Sequence, residues 1–291
     1  MSFIYAEKYS VDESRRKSIR VLCDTKVTPN NYSAANFSNV SYDLIMNHGY
    51  GIIKSTIICP EICVSFAGNN TVFAAKLFCQ LKELGVFDPE YVSELAFSIH
   101  KNAPSCNDIE FIITYISNDQ VFIDCVKNGK LERNVENAHI GSVTAFREFQ
   151  HIRLASQKPV AERTKGAFLE VVDEGIDDTV GGFVFEVVFD YEISSFVYNW
   201  ERAFHTSKPQ IVELGQNINF HMSAADGGYS YEIIPRDIEN VLINIDQMRS
   251  AVLYSRRFRV DDADTKNKNL LGLMMPILVE IKDNGEIVRC K

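Results

Sequence analysis

The stretch KSTIICPEICVSFAGNN, residues 54–70, decides the fold. Two runs dense in β-branched and aromatic residues, 51–59 and 62–66, flank Pro60-Glu61, and that pattern predicts a β-hairpin with a tight turn. Immediately afterwards the period of the apolar residues changes from two to that of a helix. Over residues 70–84, Val72, Ala75, Phe78, Cys79 and Leu81 fall on one helical face, with Asn69 or Asn70 as N-cap and Gly85 as the stop.

Working outward, the same two periods alternate along the chain. Upstream, residues 2–10 and 18–23 read as a hairpin joined by a charged turn, and the polar segment 28–48 reads as a surface loop. Downstream come a second helix at 89–100 and strands at 110–116, 120–127 and 130–135, with turns at Asn118-Asp119 and Asn128-Gly129. Helices at 143–155 and 160–175 and strands at 183–190 and 193–200 follow. The order is strands, two helices, strands, two helices, strands. Two antiparallel sheets face to face, with a helix pair on each outer side, bury every apolar face in that order. The expectation is an α+β chain: a four-layer αββα sandwich over residues 1–205. The remainder, 206–291, is expected to be a separate β-rich appendage with one helix near 236–248, serving interaction or oligomerisation.

Composition narrows the class. The chain has 291 residues and 46% hydrophobic content, enough for a substantial core, and 30 Lys and Arg against 39 Asp and Glu give a formal charge of −9. An acidic chain without a basic block lacks the footprint of a nucleic-acid binder. Its longest apolar run, 270–279, is half the ~20 residues that cross a bilayer, and its first residues have no signal-peptide pattern. These features predict a cytoplasmic chain that uses neither membrane nor nucleic acid. Seven cysteines, mostly within apolar runs, are read as reduced core residues, and six scattered His with no CxxC pair argue against a zinc site.

Three motifs resemble those of proteasome β-subunits and the bacterial peptidase HslV. LCDTKVT at 22–28 resembles the acidic motif closing their first hairpin. Residues 54–68 resemble their second hairpin, with its opening Lys, Pro-containing turn and Gly step into a long helix. HIGSVTAF at 139–146 resembles the step into their third helix. The resemblance implies the N-terminal-nucleophile hydrolase fold and a peptidase that needs no cofactor and no metal. It works as a homo-oligomeric ring on peptides or unfolded protein, with an ATPase unfoldase as a possible partner.

What the resemblance implies residue by residue follows its chemistry. Removal of Met1 exposes Ser2, whose hydroxyl attacks the peptide carbonyl while its own α-amine, with an ordinary pKa near 7.7–8.0, takes the proton. Lys54 supplies a nearby positive charge; at ~4 Å and an effective dielectric of ~20 that is worth ~4 kcal/mol, ample to lower the amine pKa. Asp24 is its counter-ion, and Ser142 and Asp178 complete the hydrogen bonds around the amine. Thr28 and Gly68 pair with an extended substrate, and the Gly68 amide faces the developing oxyanion. Phe66 either floors the pocket for the residue before the cleaved bond or points into the core between the sheets.

Taken singly, each residue has a plainer role. Ser is a common residue after an initiator Met, Lys54 suits a solvated edge strand, Asp24-Thr25 suits a turn, Ser142 a helix N-cap and Asp178 an exposed loop. The chain also departs from the pattern. Its nucleophile is Ser rather than Thr, Val143 replaces a Gly after Ser142, and Gly181 stands where a Ser is expected beside the amine. Two further readings therefore stand beside the peptidase: a catalytically inactive proteasome-like subunit with a structural or interaction role, and an amidase of the same superfamily acting on a small amide.

Overall fold

The computed structural model describes residues 2–10, 16–26, 51–85, 87–182 and 184–200 continuously, and within the remainder 220–222, 229–231, 240–244, 250–255, 273–281 and 287–289. The architecture is α+β, with two five-stranded antiparallel sheets and four helices in that first part.

The first sheet contains β1 (Phe3–Ser10), β2 (Lys17–Asp24), β8 (Asn137–Gly141), β9 (Val184–Asp190) and β10 (Ser195–Trp200), in the order β10-β9-β2-β1-β8. The second contains β3 (Ser55–Cys59), β4 (Ile62–Ala67), β5 (Glu110–Ser117), β6 (Gln120–Lys127) and β7 (Lys130–Glu132), in chain order. The helices are α1 (Val72–Leu84), α2 (Pro89–Asn102), α3 (Val143–Ala155) and α4 (Val160–Asp173).

Strand periodicity sorts the apolar residues into three clusters. Ile4, Ala6, Val21 and Cys23 of the first sheet pack with Ile57, Cys63, Ile112 and Ile123 of the second. On the opposite face of the first sheet, Phe3, Tyr5 and Leu22 pack with Phe149 of α3 and Phe168 of α4. On the opposite face of the second, Ile62, Val64 and Phe66 pack with Leu77 and Phe78 of α1 and Val92 and Ala96 of α2. Both faces of the central strands are therefore buried, which explains their nearly continuous apolar runs.

Polar anchors fix the helix ends. Asp88 caps α2 by accepting from Tyr91 N at 2.9 Å, ahead of Pro89. The N-cap of α1 is Thr71 rather than Asn69 or Asn70, although Asn70 Oδ1 accepts from Val72 N at 3.1 Å. A charged group is buried between the first sheet and α3 and α4: Arg20 Nε donates to Glu186 Oε1 at 2.6 Å, Lys165 Nζ to Glu186 Oε2 at 2.7 Å, and Arg153 to Glu7 Oε2 at 3.1 Å. These bonds tie β1, β2 and β9 to the two helices that cover them.

Three expectations change. The strand expected over 130–135 ends at Glu132, and β8 follows it in the other sheet, pairing antiparallel with β1 so that Phe3 lies opposite Gly141. A strand, β13 (Asn240–Asn244), occupies part of the helix expected at 236–248. Residues beyond 205 are not a detached appendage: Tyr254 and Met274 belong to the cluster between the sheets, Leu273 to the cluster under α1 and α2, and Ile53 N donates to Met274 O at 3.3 Å. Tyr254 lies in β14 (Ser250–Ser255), which pairs with β13 and with β15 (Met275–Ile281). The loop expected at 28–48 lies outside the described residues.

The integration of the C-terminal residues is testable. Tyr254 is fully buried, edge-on to Phe185 at 5.8 Å. Tyr254→Ala is expected to cost about 3–5 kcal/mol in denaturant unfolding, the cost of emptying a large aromatic site in a core. A loss below about 1 kcal/mol would place Tyr254 outside the shared core.

Candidate active site

At the end of β2, Asp24 is completely buried. Its Oδ1 accepts from Phe3 N at 3.0 Å and from Lys54 Nζ at 2.9 Å, and its Oδ2 accepts from Gly181 N at 3.3 Å. Lys54, just ahead of β3 and only 4% exposed, also donates to Lys26 O at 2.6 Å. Burial pushes the Asp24 carboxyl up and the Lys54 ammonium down, and the ion pair opposes both shifts. Three donors on the carboxylate and two acceptors on the ammonium are what an ionised pair requires, so the geometry favours the charged forms. One oxygen thus links the ammonium to the peptide nitrogen that follows Ser2.

Ser2 enters β1, the strand between β2 and β8, and is held from the β8 side as well. Ser142 N donates to Ser2 O at 2.6 Å. Gly141 makes that approach possible: its φ is +88°, and a Cβ there would lie 1.9 Å from Ser2 O. The Gly141 amide is itself fixed, donating to Glu110 Oε2 at 2.8 Å. Ser142 has two roles. Its Oγ caps α3 by accepting from Ala145 N at 3.1 Å, and it donates to Asp177 Oδ2.

The residue on Ser142 is therefore Asp177. Asp178, expected there, is exposed. The physical reason is a turn: Asp177 Oδ1 accepts from Thr179 N at 2.8 Å and Thr179 Oγ1 at 2.6 Å, and Val180 N donates to Asp177 O at 2.9 Å. That turn aims the first carboxylate of the doublet inward and the second outward. Burial pushes the Asp177 carboxyl up, but the bonds from Ser142 and Thr179 outweigh it and hold it below the usual carboxylate range.

The residues expected to bind substrate are placed unevenly. Gly68 follows β4 with φ +155°, and a Cβ would lie 2.2 Å from Asp108 O, so the backbone path there admits only glycine. Phe66 faces neither the core between the sheets nor solvent; it lies on the helix side of β4, its ring 6.0 Å from that of Phe78 in α1. Thr28 lies outside the described residues. Among the described residues no group of three or more His, Cys, Asp or Glu is arranged to hold a metal ion, and no helix is long and apolar enough to cross a membrane.

The structure thus brings Ser2, Asp24, Lys54 and Ser142 together and adds Lys26, Glu110, Asp177 and Thr179, which sequence reasoning had not singled out. For Asp177 a signal existed: the Asp-x-Thr spacing, in which an Asp side chain bonds the backbone two residues on. For Glu110 and Lys26 there was none, because their roles depend on which backbone atoms the fold brings beside them. No protein-family model matches the chain, and no curated protein matches it.

Two expected outcomes follow from this geometry. Asp24→Ala strands a buried ammonium and is expected to cost about 3–5 kcal/mol in denaturant unfolding, while Lys54→Met added to Asp24→Ala recovers most of that loss; equal single and double losses would show that the two side chains are not coupled. The second concerns His139, one residue before Ile140 in β8, whose ring stacks on Phe146 at 3.4 Å. Burial, with help from Lys127, pushes its imidazole down to about 4. The unfolded chain binds this proton near 6.5 and the folded chain does not until about 4, so stability falls as pH drops through that window. His139→Gln is expected to flatten the decline in unfolding midpoint between pH 6.5 and about 5; an unchanged slope would assign the decline to other groups.

Proposed function

We propose that the chain is an N-terminal-nucleophile hydrolase of the proteasome and HslV kind, a four-layer αββα sandwich that cleaves peptide bonds through Ser2. The layered reading is supported by the three apolar clusters, one between the sheets and one under each helix pair. The catalytic reading rests on one observation above all: Asp24 Oδ1 joins Lys54 Nζ to the Phe3 amide while Ser142 N grips the Ser2 carbonyl. Ser2 is thereby held by both neighbouring strands beside a buried cation.

In the proposed mechanism, whatever precedes Ser2 is removed and leaves a free α-amine. That amine accepts the proton of Ser2 Oγ as the oxygen attacks the substrate carbonyl. Charge develops on the carbonyl oxygen, which the Gly68 amide would stabilise. Collapse of the tetrahedral intermediate breaks the C–N bond, and the ammonium returns its proton to the departing amine. Water, deprotonated by the same amine, then attacks the acyl ester; the acyl C–Oγ bond breaks and the ammonium returns its proton to Ser2 Oγ, freeing the carboxylic acid product. Lys54 favours the neutral, proton-accepting amine, and Asp24 keeps Lys54 charged and oriented. Ser142, through Asp177 and Thr179, fixes the other side.

Peptides or unfolded protein are the proposed substrates, the cytoplasm the proposed location and a homo-oligomeric ring, with a possible ATPase unfoldase, the proposed assembly. One departure favours an inactive subunit of the same fold as the second reading: Gly181, with no side chain to bond the amine, stands where the resemblance has a serine. An electrophile that acylates an N-terminal serine, followed by intact mass, separates the two. Active protein gains one adduct, mapped to a peptide beginning at Ser2, and Ser2→Ala abolishes it. Chain that retains a residue ahead of Ser2, or that takes no adduct, would support the inactive subunit.

A further inference from the structure

Lys26 is bound into the site by both ends of its backbone and by its side chain. Its N–H donates to Gly181 O at 3.0 Å, and its carbonyl accepts from Lys54 Nζ at 2.6 Å. Its aliphatic stem and ammonium lie over Gly181: a Cβ on that residue would sit 3.1 Å from Lys26 Cδ and 3.7 Å from Nζ. Gly181 therefore forms the notch in which Lys26 rests, and the same residue's N–H bonds Asp24 Oδ2. Lys54 is buried, whereas Lys26 is half-buried and so lies at the site's mouth.

The charges around Ser2 give this placement a purpose. Asp24 approaches from β2, Asp177 from the turn after α4 through Ser142, and Glu110 from β5 through the Gly141 amide. Against these three carboxylates stand Lys54 on Asp24 and Lys127, 3.9 Å from Glu110 Oε2, which leaves one carboxylate in surplus. A surplus of negative charge holds an amine in its protonated form, which accepts no proton. A second cation beside Asp24 and Lys54 reduces that surplus.

We infer that Lys26 is a positioning residue that keeps the Ser2 α-amine in its neutral form, an inference that rests on the reading of Ser2 as an N-terminal nucleophile. Its stem, seated on Gly181, holds the ammonium near the amine, and its carbonyl helps orient Lys54. Arginine could occupy the same notch with the same charge; glutamine could not supply the charge.

The test titrates the amine directly, apart from catalysis. Full-length chain beginning at Ser2 is treated with trace acetic anhydride across a pH series, and acetylation of the Ser2 amine is read by mass of the N-terminal peptide. Lys26→Gln is expected to raise the midpoint by about one pH unit, which at a pH below both midpoints lowers the fraction of reactive amine about tenfold, and Lys26→Arg is expected to restore it. An unchanged midpoint in Lys26→Gln would overturn the inference, as would a change that Lys26→Arg fails to restore, since that would mark a packing role. Electrophile labelling of the same proteins separates this result from the parent reading: a shifted amine midpoint with no electrophile adduct at all retains Lys26's role and rejects the peptidase. A wild-type amine that never titrates because it is blocked rejects both.

Discussion

A buried carboxylate with an ammonium on one oxygen is the constraint on which the rest of the structure depends. Asp24 and Lys54 come from different sheets, so their pairing fixes how the two sheets meet at the end where β1 begins. Neither charge is tolerable there alone. The carboxylate satisfies its remaining capacity with two backbone amides, Phe3 N and Gly181 N, and through them anchors the strand carrying Ser2 and the segment at Gly181 on which Lys26 rests. The polar end of this largely apolar core is thus set by one acid, one ammonium and the two amides and one carbonyl around the pair.

The opposite side of Ser2 is built from backbone and a serine hydroxyl, with the carboxylates of Glu110 and Asp177 behind them. Ser142 caps a helix, holds Ser2 O and bonds Asp177, three tasks for one residue. A helix cap is normally a local device; here it also transmits the position of α3 to the start of β1. The stack of His139 on Phe146 links the same strand and helix one turn further on. The two sides of Ser2 therefore respond to different conditions, one to the balance of buried charge and the other to packing of α3 on the first sheet.

Much of this was legible in the sequence because it is written locally. The period-two runs around Pro60-Glu61 and the switch to helical spacing after Asn70 gave the second hairpin and α1, and alternation gave the inner and outer faces. Asp24 and Lys54 were legible through their motifs. What escaped depended on long-range placement. β8 is five residues of mixed polarity, NAHIG, whose strand character comes from pairing with β1 about 135 positions earlier. The doublet Asp177-Asp178 could be resolved only by knowing which carboxylate the turn points inward. The integration of Tyr254 and Met274 was hidden because nothing in a β-leaning tail, its apolar run at 270–279 included, announces that two of its residues finish a core elsewhere.

The pairing of Ile53 with Met274 bears on the order in which the molecule is made. A chain emerging from the ribosome has β1 through β4 early, but Phe3 waits for Gly141, Asp24 for Gly181, and the edge beside Lys54 for Met274. Contacts of such sequence separation form late, because the entropy of closing long loops must be met first. Until Tyr254 and then Met274 have been synthesised, the core between the sheets and the edge at Ile53 lack them and expose apolar surface. A nascent chain in this state has the groups around Ser2 unassembled, and the arrival of these late residues is the step that closes the core.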